Sequence, residues 1–387
     1  MSPTSIPPKP RARAVDPLRV LALSSYPNEA AATRFRLTQY VAPLVERGIV
    51  LDVRPFLTPE QFDQLYRHRS RTKVALGLFG SMLRRARDVV TSGRVDAVLV
   101  QREAMLLGPP LIEFLISRGL GKPMVLDLDD ATYLRYTSPT HGRLADRLKW
   151  FGKTDDLIRW ARVVTCGNTV IADYVASKGT RATVIPTVVD TDLFRPRSSP
   201  ERSDPPIIGW IGSHSTFPYL ESIFPAIERL ARTHRFRLRV VGSGRTEIRI
   251  PGVEVECRPW RIDREIEEFR SLDIGLYPIV EDAWSAGKSG FKSIQYLAVG
   301  VPFVVSPVGA CSKIGESEVT HLAASSPDAW HEAIGTLLGD EDRRRRMGDA
   351  GRRHALAHYT VDAQADQLAA AIHDATGRTP DIERRPA

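Results

Sequence analysis

Cysteine is scarce in this chain: its 387 residues hold three, Cys166, Cys257 and Cys311, far apart and with no CxxC pair. That excludes a disulfide scaffold and a zinc knuckle, and it suits a reducing, cytoplasmic setting in which all three act as small buried apolar residues. Long apolar runs are missing too. The longest, 74–83, is broken by glycines and falls well short of the ~20 residues that span a bilayer, so no segment is expected to cross one. Residues 1–17 are rich in proline and basic residues but lack an apolar centre, which reads as a disordered tail and not as a signal peptide. A dense basic stripe interleaved with aromatics is also absent. The net charge of +8 is moderate for this length, which argues against a nucleic-acid partner and suits a protein that handles phosphates or rests on anionic lipid. Paired carboxylates at hydrolase spacing do not occur.

What is present is alternation. A hydrophobic content of 42% is ordinary for a globular protein, and the length exceeds that at which one core keeps growing, so two domains are the default. Strand-length apolar runs at 19–25, 50–54, 95–101, 123–130, 163–167 and 182–186 alternate with helical patterns. A polar, proline-rich link at 188–206 follows, and a second series begins, with strands at 207–212, 238–242, 253–257, 273–279 and 303–307. This is the pattern of α/β domains built from βαβ units, two doubly wound parallel sheets facing each other across a cleft. The charge run 341–346 sits on a terminal helix and reads as a solvated face.

The most informative stretch is 287–307. A glycine-punctuated loop, Gly287-Lys288-Ser289-Gly290, opens a short apolar helix carrying Lys292 and Gln295, which feeds through Gly300-Val301-Pro302 into a strand. Backbone N–H groups and lysine charge converge there as a phosphate would require, beyond the strand that ends near Tyr277. A solvated helix start is the alternative, but cations at the positive end of a helix dipole are disfavoured unless an anion is bound. Gly242-Ser243-Gly244-Arg245 also follows a strand, yet Thr246 and Glu247 stand where a dinucleotide fingerprint needs its third glycine, so alone it is a tight turn.

With the 288–307 cradle, the linker phrase 184–194, the strand-turn Gly209-Trp210-Ile211-Gly212-Ser213 and the terminal His358-Tyr359-Thr360, the chain resembles the family 4 retaining glycosyltransferases, of GT-B fold. The resemblance is strongest over 207–372. It implies an acceptor-side Rossmann-like domain at 18–200, to which a helix at about 360–376 returns, a nucleotide-sugar-binding domain at 205–357, and tails at 1–17 and 377–387. It further implies transfer from a nucleoside-diphosphate sugar to a glycan or lipid-linked acceptor, with retention and with no cofactor or metal. Lys288 and Lys292 would stabilise the departing diphosphate, while Gly212, Ser213, His214, Gly242, Arg245, Trp260, Tyr277, Ser289, Gly290 and Gln295 would surround the donor. Arg245 as a phosphate ligand stands beside Arg245 as a turn residue, and Trp260 against the base beside Trp260 as core. The family pattern Glu, seven residues, Glu is broken: Gly287 and Gln295 occupy its two positions, so a ribose contact would be an amide hydrogen bond without the carboxylate charge.

In the first half, Asp127-Leu128-Asp129-Asp130 closes an apolar strand with three carboxylates, a costly cluster inside a core. Alternation puts Asp127 and Asp129 on one face, and the expectation is that Asp129 and Asp130 touch sugar hydroxyls or the acceptor nucleophile; capping the next helix is the alternative. Arg34 and Arg36 start a helix after the first strand, where a bound anion would offset their position, or they are simply exposed; Arg102 ends another strand on the same cleft. The stretch 65–90 combines seven basic residues with Leu76, Leu78, Phe79, Met82 and Leu83, either a helix for the anionic inner face of the membrane or one whose apolar stripe covers the sheet. The functional expectation is a glycosyltransferase of polysaccharide or glycoconjugate assembly. A nucleotide-sugar epimerase of the same architecture and a non-catalytic nucleotide-sugar binder are the alternatives.

Overall fold

The structure, a computed structural model, describes residues 16–66, 71–134, 150–198 and 203–378. The expected tails lie almost wholly outside the described residues, as does part of the basic stretch 65–90. Two parallel sheets dominate. The first has the order β2-β1-β3-β4-β5-β6, with β1 Leu18–Ser24, β2 Ile49–Pro55, β3 Ala97–Gln101, β4 Met124–Leu128, β5 Val163–Cys166 and β6 Ala182–Val184. The second has the order β12-β11-β10-β7-β8-β9, with β7 Ile207–Ile211, β8 Arg237–Val241, β9 Glu254–Arg258, β10 Ile274–Tyr277, β11 Phe303–Val305 and β12 His321–Ala323. The first eleven follow the apolar runs within a few residues; β12 is too short and polar to stand out in the sequence.

Each sheet is covered by helices on both faces, which is why β3, β4 and β7 read as unbroken apolar runs and are buried throughout. Apolar clusters lie on both sides of each sheet. The Val361–Thr376 helix returns to the first sheet, where Ala365, Leu368 and Ile372 pack with Leu18, Val20 and Leu99. Cys166 and Cys311 are buried, while Cys257 is half-buried on β9, and all three are free thiols.

Strand order decides where ligands can go. In the first sheet the winding reverses between β1 and β3, and in the second between β7 and β10. Connections leave in opposite directions at such points and open a crevice at the carboxyl ends of the strands. The two domains meet near these edges: Phe35 of the Ala31–Arg36 helix packs 4.6 Å, centroid to centroid, from Phe291 and 6.1 Å from Phe194.

Candidate active site

The second domain's half of the cleft begins with two touching turns. The Gly212 amide donates to the Val241 carbonyl at 3.0 Å, and the Gly242 amide to the Arg258 carbonyl at 2.9 Å. Gly242 has φ +82°, and a Cβ there would stand 2.3 Å from the Gly212 carbonyl oxygen, so only glycine lets the loops after β7 and β8 lie this close. The Ser213 amide donates to Thr216 Oγ1, and the Ser213 hydroxyl lies 2.8 Å from that of Ser215, which folds the 213–216 loop, His214 included, over the crevice. Arg245 is exposed with its guanidinium 5.6 Å from the centre of the Phe217 ring. Trp260 is half-buried and packs against the apolar cluster behind β10, with the Arg34 guanidinium 5.7 Å from its ring centre.

The 287–290 loop lies across the β7/β10 switch point. Gly290, at φ +65°, caps the Phe291–Ala298 helix in the left-handed conformation, and Ser289 is half-buried beside it. Lys288 Nζ stands 5.6 Å from the centre of the Tyr219 ring and Lys292 Nζ 5.9 Å from that of Tyr277. Among the described residues neither lysine has a carboxylate within ion-pair distance. Burial, helped by the charge of Lys288, lowers the Lys292 pKa to about 8, although Glu265 and Asp130 pull the other way. Burial also pushes the Tyr277 hydroxyl well above its usual value. Two cations without counter-ions, at a left-handed glycine that opens a helix, form a site whose own electrostatics call for an anion.

Gln295 is buried and points its amide nitrogen at Glu265 Oε1, 3.5 Å away, while Glu265 Oε2 accepts from Arg34 at 2.7 Å. Burial raises the pKa of Glu265 against the pull of Arg34. Nothing in the local sequence 261–270, a run of mixed charges, sets Glu265 apart; only its contacts with Gln295 and the other domain do. At the first position of the broken family pattern, the Gly287 carbonyl accepts from Asn168 Nδ2 at 2.9 Å, and a Cβ would come 2.5 Å from the Ala131 methyl. The first domain therefore occupies the space a glutamate side chain would need.

On the first domain's edge several expectations are corrected. Arg36 does not face the cleft: its guanidinium is buried, forked on both oxygens of Asp127, and bonded to the Ile185 carbonyl at 2.6 Å. Thr165 Oγ1 donates to the same carboxylate at 2.6 Å, so this pair ties β4 and β5 to the first helix. Asp129 is likewise committed: Arg102 Nε and Nη2 take its two oxygens, and Gln101 Nε2 donates to it at 3.2 Å. Burial alone would raise its pKa, but Arg102 prevails and holds it below the usual carboxylate range. Asp129 is thus an anchor, and Arg102 is a clamp for carboxylates and not a free ligand for an acceptor. The alternative that one of the aspartates caps the next helix concerns a segment, 135–149, that lies outside the described residues. Asp130, half-buried and held by Arg102 through one oxygen, is the carboxylate of the trio that senses Lys292. Arg102 holds this pair from a left-handed backbone, φ +60°, a strained setting for a non-glycine residue. Arg34 is neither free nor simply exposed: its guanidinium is paired with Glu265 of the second domain. Among the described residues no cluster of histidine, cysteine or carboxylates could hold a metal ion.

Two Rossmann-like domains whose switch points face each other, one bearing unpaired lysines and the other clamped carboxylates, define a protein of GT-B architecture. The chain is similar to glycosyltransferases: residues 225–370 match the family described as glycosyl transferase-like. MMP alpha-(1->4)-mannosyltransferase of Mycolicibacterium hassiacum is 25% identical over 252 residues, 59% of this chain and 59% of that protein. D-inositol 3-phosphate glycosyltransferase of Nocardia farcinica is 28% identical over 120 residues, 30% of this chain and 26% of that protein. The chain thus spans between about a quarter and three fifths of the length of these curated relatives. The Anabaena protein HepE, solved in complex with UDP-glucose, superimposes with a TM-score of 0.65 at 15% identity, over 92% of this chain and 99% of that one. A glycosyltransferase from Rickettsia africae does so with a TM-score of 0.67 at 13% identity, over 94% and 100%. Likenesses at such identity establish the fold.

Proposed function

We propose that this protein is a retaining glycosyltransferase of family 4 type, acting at the cytoplasmic face of the membrane on a glycan or lipid-linked acceptor. The observation that carries the reading is the pair Lys288 and Lys292, unpaired at the switch point of the second sheet and opposite Asp130. A diphosphate seated there gains both charges and the amides of Ser289, Gly290 and Phe291, since those of Gly287 and Lys288 already donate to the Trp284 and Ser285 carbonyls. Transfer needs little else from side chains. The bond between the anomeric carbon and the diphosphate oxygen breaks, the acceptor oxygen bonds to that carbon on the same face, and its proton passes to the departing phosphate oxygen. Trp260 and the 212–216 and 242–245 turns would line the nucleoside. Glu265, held by Gln295 and Arg34, supplies a carboxylate for the ribose hydroxyls beside the helix whose own glutamate is missing. Asp130 would face the sugar.

The test is a thermal-shift screen of nucleoside diphosphates and nucleotide sugars, since a ligand that binds only the native state raises apparent stability by mass action. The hit is then incubated with glycan and lipid-linked acceptors, and the anomeric configuration of the product is read by NMR. Absence of any shift removes the donor site; an inverted product removes retention. Isomerisation of the donor without acceptor identifies an epimerase instead. The substitution of glycine and glutamine for the two glutamates favours a second reading, a nucleotide-sugar binder without turnover, and binding with no diphosphate release against any acceptor supports it.

A further inference from the structure

The Arg71–Ser92 helix is inverted. Its buried stripe is polar: Ser81, Arg85, Asp88 and Ser92 follow helical spacing, and Arg85 and Ser92 are 1% and 0% exposed. Its apolar stripe faces outward, with Leu76 at 74%, Phe79 at 62%, Leu83 at 59% and Val90 at 77% exposure. The expectation that the apolar stripe covers the sheet is overturned. A surface helix ordinarily gains its stability by burying its apolar face. This one is held by polar contacts centred on one buried guanidinium: Arg85 donates to the carbonyls of Ser24 at 2.7 Å, Arg54 at 3.0 Å and Ala104 at 2.9 Å, with Asp88 as its counter-ion, while Gln61 donates to the Gly77 carbonyl at 2.7 Å and Arg84 to the Phe56 carbonyl at 3.1 Å. Those carbonyls lie at the carboxyl ends of β1 and β2 and just beyond that of β3, on the acceptor side of the cleft. Exposed Leu111, Phe114 and Leu115, on a short helical segment packed against this one, extend the apolar surface.

Charge says what covers it. Between residues 71 and 95 the one carboxylate is Asp88, buried and paired with Arg85 and Arg54. Over 111–120 the one carboxylate is Glu113, also buried, where it accepts from the Ala104 amide. Arg87, Arg94 and Arg118 are exposed. The surface is therefore apolar and cationic, with no exposed negative charge of its own. We propose that this inverted helix and the 111–118 segment form a docking surface for an anionic lipid bilayer. Phe79, Leu83 and Leu76 enter the acyl boundary, the arginines meet the headgroups, and the carboxyl edge of the first sheet is held beside the membrane. This deepens the proposed function by placing a lipid-linked acceptor next to the cleft, but the docking stands on its own geometry.

The experiment is flotation of the full chain with vesicles of phosphatidylglycerol in phosphatidylcholine, and with phosphatidylcholine alone. The wild type should float with the anionic vesicles only and be released as salt approaches ~1 M, where screening is nearly complete. Phe79→Asp with Leu83→Asp should cut the bound fraction at least ~10-fold, and Arg87→Glu with Arg94→Glu about as much, with unchanged thermal melting in both pairs. Val319→Asp, an exposed apolar site on the second domain, should float like the wild type. The proposal is overturned if the wild type ignores anionic vesicles, or if the Phe79 and Leu83 pair floats normally. It is also overturned if the wild type is a dimer that this pair dissolves while vesicle binding is absent. Thermal shift with nucleotide sugars reads the donor site independently, so failure of either reading leaves the other standing.

Discussion

The two switch points carry cations in opposite states. Near the edge of the first sheet, three cations among the described residues are answered: Arg36 by Asp127, Arg102 by Asp129 and Asp130, Lys153 by Glu103. At the edge of the second, Lys288 and Lys292 have no carboxylate at pairing distance among the described residues, and Lys292 sits where burial drags its pKa down to about 8. A buried cation with its counter-ion is a structural member, because removing either partner strands a charge. A buried cation without one holds strain that a ligand can relieve. The difference separates scaffold from site more reliably than residue type does, since Arg36, Arg102, Lys288 and Lys292 are all candidate ligands in the sequence.

The largest effect that would break this contrast is on stability. Arg36→Ala strands the buried Asp127 carboxylate and should cost about 3–5 kcal/mol, seen as a lowered urea midpoint of unfolding. An unchanged midpoint would mean that the first edge is not built on its ion pairs. Lys292→Ala should do the reverse, leaving the melt unharmed or slightly improved while reducing nucleoside diphosphate release ~100-fold or more. Full turnover in that variant would take Lys292 out of the site.

A pH titration sharpens the same point. Lys292 is depressed to about 8 from its ordinary 10.5, so between those values the unfolded chain holds a proton the native protein does not. Stability from this group therefore rises with pH through that window, and its cost is fully present below about 8. A bound diphosphate keeps the proton on, so calorimetric affinity for nucleoside diphosphate should weaken as pH passes upward through about 8, and Lys292→Arg should flatten the profile. The smallest expected effect is at the contact between the domains. Gly287→Ala places a methyl 2.5 Å from that of Ala131, which should push the edges apart and enlarge the radius of gyration in solution scattering. The melting of each domain should move by less than ~0.5 kcal/mol, because no core is disturbed.

Much of the fold was legible in the sequence because parallel strands covered on both faces are unbroken apolar runs, and their alternation with helices leaves few topologies open. The glycine-lysine loop at 287–292 was legible because the left-handed backbone at Gly290 demands glycine and two lysines at a helix start stand out, both local signals. Glu265 was not, since its partners are thirty and more residues away in the chain. Neither was the commitment of Arg36 and Asp129, because a charged residue at a strand end looks the same whether it faces a cleft or a counter-ion. The basic stretch 65–90 reads as amphipathic with its direction open, and helical periodicity cannot say which stripe turns inward when Arg85 supplies a polar anchor.

The amino-acid sequence alone determined the two doubly wound halves, their link and the glycine-lysine loop, because these rest on periodicity and on backbone conformations that particular residues permit or forbid. Only the tertiary structure decided which charges are neutralised, which carboxylate stands beside the altered helix and which face of the basic helix is left uncovered. Those are properties of pairs of residues distant in the chain, and their energies are set by burial and by distances of a few ångströms that exist only after the chain has folded.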